Sequence, residues 1–152
     1  MNSHEGAKPR ADIERIASIV IDTAFSIHCE LGPGLLEHVY SAVLAQELES
    51  RGLRVERERV VPIVYRGVIV SEGFRLDLLV EERLIVELKS VECIHAVHLK
   101  QLLTYLRMMG LPLGLLINFG APLLKEGLRR VVNRHDDFSS SVLRIHNQLP
   151  PD

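Results

Sequence analysis

The chain has few cysteines and no long uninterrupted apolar run. Its two cysteines, Cys29 and Cys93, do not suggest a disulfide framework, and we expect both to be reduced thiols in a cytoplasmic protein. The most apolar stretch, residues 111–124, is broken by prolines and glycines, so it is too interrupted to span a membrane. The N-terminus is polar and lacks the apolar segment of a secretory signal.

An excess of basic charge is also absent. The net charge is −2 and the pI is about 6.4, so the composition gives no overall signal for nucleic-acid binding. Eight of the 18 basic residues form two local clusters, which are Arg51, Arg54, Arg57 and Arg59, and Lys125, Arg129, Arg130 and Arg134. Because the first cluster alternates with Glu56 and Glu58, a solvated strand with salt bridges is favoured there over a phosphate-binding edge.

The length of 152 residues predicts one domain. We place it at residues 11–135, between a flexible N-terminal tail (1–10) and a C-terminal segment (136–152) with weak periodicity. Within the domain, the apolar spacing and the turn residues predict helices at 12–31, at about 35–51 and from His95 or Ala96 to the Gly110-Leu111-Pro112 stop. They predict strands at 53–65, 68–80, 84–89, 113–119 and 128–132. This order predicts an α/β fold with a mixed sheet flanked by helices, in which Pro62 favours an edge position or a bend in the first strand.

Charged residues stand out on the second and third predicted strands. Alternation places Glu87 and Lys89 on one face of the third strand, opposite its leucines and valine. On the second strand it places Arg75 and Asp77 together, and the remaining face is expected to carry Phe74, Leu76, Leu78 and Val80. If Glu81-Glu82-Arg83 is a three-residue connection, Asp77 lies directly across from Glu87, whereas a two-residue turn would separate them.

Two carboxylates side by side on a sheet are unfavourable unless a cation lies between them. Mg²⁺ is commonly held by one or two protein carboxylates together with water and substrate phosphate. A lysine near the second carboxylate can hold an attacking water or stabilise a phosphorane-like transition state, as metal-assisted phosphodiester hydrolysis requires. The alternative is a surface hairpin with a salt bridge between Glu87 and Lys89.

Several separated motifs resemble one known family. Asp77, a nine-residue gap and Glu87-Leu88-Lys89 resemble the PD-(D/E)XK nuclease superfamily. Residues 34–40 (GLLEHVY) resemble the signature of the bacterial GxxExxY proteins within that superfamily. The residues His98, Gln101 and Tyr105 resemble the HxxQxxxY segment on the following helix, and residues 116–120 resemble the next strand. The resemblance covers roughly residues 13–133; Leu76 replaces a proline that is dispensable across much of the superfamily.

The resemblance implies a restriction-endonuclease-like core of αβββαβ order and a nuclease dependent on Mg²⁺ or Mn²⁺, with DNA as the expected nucleic-acid partner. It implies that Asp77, Glu87, the Leu88 carbonyl group and Glu37 bind the metal and that Lys89 positions the water. Gln101 and Tyr105 would orient the scissile phosphate or the lysine. The alternative function is a catalytically silent module of the same fold that binds nucleic acid or assembles with proteins.

Each of these helical residues also has a simpler interpretation. Glu37 lies in the first turn of a helix, where a carboxylate is favoured by the exposed amides. Tyr40 fits a core tyrosine equally well. Gln101 and Tyr105 fit a polar helix flank. The spacing of Cys93, His95 and His98 permits zinc binding, although no fourth ligand is apparent.

Overall fold

The computed structural model describes residues 8–134. The element order agrees with the predicted helix, helix, three strands, helix and two strands. The elements are α1 (Lys8–Leu31), α2 (Glu37–Ser50), β1 (Val55–Tyr65), β2 (Val68–Val80), β3 (Leu84–Lys89), α3 (Ala96–Met109), β4 (Leu113–Asn118), a 3₁₀ turn (Leu124–Gly127) and β5 (Leu128–Val132). No helix within the described residues is long and apolar enough to cross a membrane.

The first helix begins earlier than its apolar spacing predicts. It starts at Lys8, not at Asp12, and so includes residues 8–10 of the predicted N-terminal tail. The remainder of that tail (1–7) and the predicted C-terminal segment lie outside the described residues.

The five strands form one mixed sheet in the order β1-β2-β3-β4-β5, which confirms the predicted α/β class. Neighbouring strands are antiparallel except for β3 and β4, which are parallel and are joined through α3. The first strand lies at an edge, as Pro62 predicts, since proline cannot donate to a neighbouring strand. The third strand lies in the centre, with a partner on each side.

Two tight turns set the register around β2. Arg66 and Gly67 connect β1 to β2 with φ values of 47° and 78°, as hairpin turns with two left-handed residues require. At the other end, residues 81–83 connect β2 to β3, with Val80 opposite Leu84 and Leu78 opposite Val86. This is the register expected of a three-residue connection.

The sheet separates two apolar layers. On one side α1 and α2 pack against β3 and β4, through residues such as Val20, Leu44, Val86 and Leu115. On the other side α3 packs through Leu102 and Leu106 on a smaller set of strand residues, which are Val61, Leu76, Leu79, Ile85 and Leu116.

One expectation about β2 is wrong: its apolar residues do not all share a face. Phe74 and Leu76 belong to the layer under α3, whereas Leu78 and Val80 belong to the layer under α1 and α2. The strand therefore changes faces at Asp77. The physical reason is a local break in the pleat, because Glu58, at the facing position on β1, has a left-handed φ of 54° and is not paired with Asp77.

Candidate active site

The backbone pairing between β2 and β3 gives way to side-chain hydrogen bonds at Asp77 and Glu87. The amide of Asp77 donates to Oε1 of Glu87 at 3.2 Å, and the amide of Leu88 donates to Oδ2 of Asp77 at 2.8 Å. Each carboxyl group thus accepts from the backbone of the opposite strand. The two acids are held side by side, as the three-residue connection predicts.

Glu87 is the buried member of this pair, with 7% of its surface exposed. Burial, together with the neighbouring charge of Asp77, raises the pKa of its carboxyl group to about 8. The pair therefore favours a shared proton, or a bound cation in its place, at neutral pH.

Lys89 lies two residues after Glu87 on β3 and is partly buried. Its carbonyl group accepts from the amide of Phe119 at 2.8 Å, which fixes the end of the strand. Within residues 8–134 its ammonium group makes no salt bridge to Glu87. The alternative of a salt-bridged surface hairpin is therefore wrong, since the strand is central and Glu87 is buried.

Glu37 approaches the same region from the first turn of α2. Its Oε1 accepts from the amide of Ser90 at 3.4 Å, and the Ser90 hydroxyl group donates to the carbonyl group of Leu35 at 2.6 Å. Glu37 and Asp77 line one open cleft with a volume of about 450 Å³. The other residues that line it are Leu36, His38, Ser41, Glu58, Leu88 and Ser90.

Tyr40 is a buried core residue with a specific hydrogen-bonding role. Its hydroxyl group donates to the carbonyl group of Gly32 at 2.5 Å and accepts from the amide of Leu35 at 3.2 Å. Its ring stacks on Phe119, with ring centroids 4.3 Å apart. Of the two interpretations of Tyr40, the contacts favour the core tyrosine, which holds the loop before α2 in place.

The helix α3 brings two of its predicted residues close to the acids. Burial lowers the pKa of His98, and the charge of Lys89 adds to this effect. Burial raises the pKa of Tyr105, and the charges of Glu87 and Asp77 raise it further, so its hydroxyl group stays protonated. The Tyr105 ring stacks on Phe74, with centroids 4.4 Å apart. Gln101 is exposed on α3 and does not line the cleft, so its role stays a prediction.

Sequence reasoning did not identify Asn118 as a residue that supports the site. Its side chain is 1% exposed; Oδ1 accepts from the amides of Val91 and Gly120, each at 3.0 Å, and Nδ2 donates to the Val91 carbonyl group at 2.9 Å. It thereby fixes the segment that follows Lys89. A signal was present, since a carboxamide at the end of an apolar strand needs buried partners.

The histidines do not support a zinc site. Nε2 of His95 lies 3.7 Å from the Cys93 sulfur atom, but Nδ1 of His98 accepts from the His95 amide. Within residues 8–134 no three or more histidine, cysteine, aspartate or glutamate side chains converge to hold a metal ion. The contacts of these residues therefore give no support to the zinc interpretation.

The donor set at the end of β3 fits a hard divalent cation. It offers two adjacent carboxyl groups, of Asp77 and Glu87, and Asp77 lines the cleft together with Leu88, whereas Glu87 is buried behind it. Mg²⁺ prefers oxygen ligands and usually takes only one or two protein carboxylates. The raised pKa of Glu87 agrees with a cation site, because a bound cation would offset the repulsion between the two carboxyl groups that now favours a proton.

The chain belongs to the PD-(D/E)XK nuclease superfamily. The model of that family matches residues 14–131, which include β1 to β4, most of β5 and the paired carboxyl groups. Comparisons with curated proteins and with solved structures gave no match.

Proposed function

We propose that this protein is a nuclease that uses Mg²⁺ or Mn²⁺ to hydrolyse phosphodiester bonds in DNA. Membership of the superfamily suggests nuclease activity. The observation that carries the proposal is the pair of acids formed by Asp77 on β2 and the buried Glu87 on β3. Lys89 lies two residues after Glu87 on the same central strand. This arrangement matches the needs of metal-assisted hydrolysis.

Asp77, Glu87 and the carbonyl group of Leu88 would hold the divalent cation. Glu37, which also lines the cleft, would complete the environment of the cation through a bound water. When bound, the cation would supply Lewis acidity and lower the pKa of the attacking water. The protein's own contribution is to keep the two carboxyl groups fixed by backbone amides, so that little rearrangement is needed.

Lys89 would position the attacking water or stabilise the developing negative charge. Its ammonium group is suited to this role because no salt bridge within residues 8–134 neutralises it. Tyr105 stays protonated near neutral pH, so it can donate a hydrogen bond to a phosphate oxygen. Gln101 would assist in orienting the phosphate from the exposed side of α3.

Within the superfamily we assign the chain to the GxxExxY group. The assignment rests on Gly34, Glu37 and Tyr40, whose order and spacing fit that signature. Their contacts are consistent with it, since Tyr40 supports the loop that leads into α2 and Glu37 lines the cleft.

The test is cleavage by Lys89→Ala. We expect plasmid DNA cleavage in Mg²⁺ to fall by roughly 10²- to 10⁴-fold, the range for loss of a proton-transfer or charge-stabilising group. Calorimetric Mn²⁺ binding should remain, because the carboxyl groups are intact. Lys100→Ala, at an exposed position on α3, is the matched control and should cleave at the wild-type rate.

Cleavage by Lys89→Ala at the wild-type rate would contradict the assignment of Lys89. A parallel assay on RNA decides the substrate class. A wild-type protein that binds both nucleic acids and cleaves neither would favour the alternative function, a catalytically silent module of the same fold.

A further inference from the structure

We propose that Glu58 is a further acidic residue of this site, which binds a water molecule on the divalent cation from the β1 side of the cleft. The inference rests on the proposed function and assigns a role to a strand that carries none of the family motifs described above. Its basis is the position of Glu58 in the cleft, the absence of a salt bridge to it within residues 8–134 and its unusual backbone conformation.

Glu58 is exposed and lines the same cleft as Glu37 and Asp77. Nearby acids are occupied: Glu56 pairs with Arg59 at 3.3 Å, and Glu81 pairs with Arg54 at 2.9 Å. Glu58, by contrast, makes no salt bridge within residues 8–134. The expectation of a strand with salt bridges therefore holds for its neighbours and not for Glu58.

The backbone at Glu58 is unusual for a strand. Its φ of 54° lies in the left-handed region, which residues other than glycine rarely adopt within a strand. The strand pairing skips this position: Arg57 faces Leu78 and Arg59 faces Leu76, while Glu58 and Asp77 between them are unpaired. The break in pairing therefore places Glu58, an acid in addition to Glu87, beside Asp77 at the point where β2 changes faces.

A role through water follows from the geometry. No three acidic side chains within residues 8–134 converge closely enough to share an ion directly. The cleft of about 450 Å³, which both Glu58 and Asp77 line, has room for several ordered waters. Carboxylates that accept from metal-bound water fix that water and strengthen cation binding.

Calorimetric titration with Mn²⁺ tests the inference without any substrate. Glu58→Gln removes the charge and keeps the size of the side chain. We expect its Mn²⁺ affinity to fall by about tenfold, the lower end of the range for groups that act through a ligand. Glu56→Gln, on the same strand but paired with Arg59, is the control and should bind as the wild type does. Asp77→Asn should lose measurable binding.

Glu58→Gly separates the charge from the backbone, since glycine accepts the left-handed conformation without strain. An affinity loss in both the Gln and the Gly variants supports a role for the carboxyl group. Wild-type affinity in both variants, while Asp77→Asn loses binding, would overturn the role of Glu58 and leave the proposed nuclease intact. A wild-type protein that binds no Mn²⁺ would also overturn the inference. Reduced affinity in Glu58→Gln together with a wild type that cleaves no nucleic acid would uphold Glu58 and reject the nuclease.

Discussion

At the residue scale, Glu87 connects burial to chemistry. Its carboxyl group is enclosed at the end of a central strand and accepts from the Asp77 amide. An acid in such surroundings resists ionisation, because desolvation and the neighbouring charge both disfavour the carboxylate. The site therefore holds electrostatic strain that a proton or a cation can relieve.

The pKa of Glu87 makes stability depend on pH. In the folded protein the pKa is raised to about 8 from the ordinary value of 4.5, so the folded state binds more protons between these values. The stability that protonated Glu87 contributes is complete below the ordinary pKa and is lost as the pH rises through about 8. Glu87→Gln should remove this loss, because glutamine resembles the protonated acid and does not ionise.

The prediction is checked by urea unfolding of both proteins in EDTA. We expect similar stability near pH 5 and an advantage of a few kcal/mol for Glu87→Gln near pH 9. Adding Mn²⁺ at the higher pH should restore the free energy of unfolding of the wild type and have little effect on that of the variant. Parallel stability curves for the two proteins over the whole pH range would contradict the raised pKa. Glu72→Gln, at an exposed position on β2, serves as the control.

At the scale of elements, two connecting segments hold the site together. Tyr40 ties the loop after α1 to the body of α2, and Asn118 at the end of β4 fixes Val91. The rings of Tyr40 and Phe119 stack, so the two supports are in contact. Ser90 donates hydrogen bonds to both Leu35 and Glu37.

Tyr40→Phe tests this support while it keeps the ring stack. The change leaves the Gly32 carbonyl group and the Leu35 amide without their partner, and loss of such bonds costs about 1–3 kcal/mol. We expect a corresponding fall in the free energy of unfolding by urea. Cleavage should also slow under conditions where the variant is fully folded, because the loop that positions Ser90 and Glu37 loosens.

The matched control is Tyr65→Phe, which removes the same hydroxyl group from a residue with 64% of its surface exposed. It should leave both stability and cleavage unchanged. Equal stability of Tyr40→Phe and the wild type would show that the loop does not depend on these hydrogen bonds.

At the scale of the whole molecule, the charges are distributed unevenly around the cleft. The net charge is −2, and the acids Glu37, Glu58 and Asp77 line the cleft itself. Several basic residues are engaged elsewhere: Arg54 pairs with Glu81, and Arg130 pairs with Glu14 on α1. In the second basic cluster, Arg129 and Arg130 lie on β5, at the sheet edge opposite β1. Arg57 differs, because its Nε donates to Ser41 in the cleft wall at 3.3 Å.

Under the proposed function, Arg57 is therefore placed to contact a phosphate beside the cleft. Arg57→Ala should weaken binding to DNA of any sequence, and the slope of log affinity against log salt should become shallower by about 0.9, the value for one phosphate contact. Fluorescence anisotropy in Ca²⁺ between about 50 and 200 mM salt measures both quantities. Arg129→Ala on β5 is the control and should leave the slope unchanged. An unaltered slope in Arg57→Ala would exclude a phosphate contact at this residue.

Much of the fold could be predicted from local signals in the sequence. Strands β2, β3 and β5 have the predicted bounds, because turn residues such as Gly67 and apolar spacing act over a few positions. The facing positions of Asp77 and Glu87 followed from the length of one connection. The early start of α1 at Lys8 was missed, since its first turn lacks the apolar spacing on which the predicted start depended.

The sequence by itself determined the order of elements, the mixed sheet and the candidate acids on β2 and β3. Only the tertiary structure decided that Leu76 and Leu78 lie on opposite sides of the sheet, that Tyr40 supports a loop and that Glu58 lines the cleft. The physical reason is that apolar periodicity reports which residues are buried along one element. Which partner buries them, and how far a carboxyl group is desolvated, depends on segments distant in the chain.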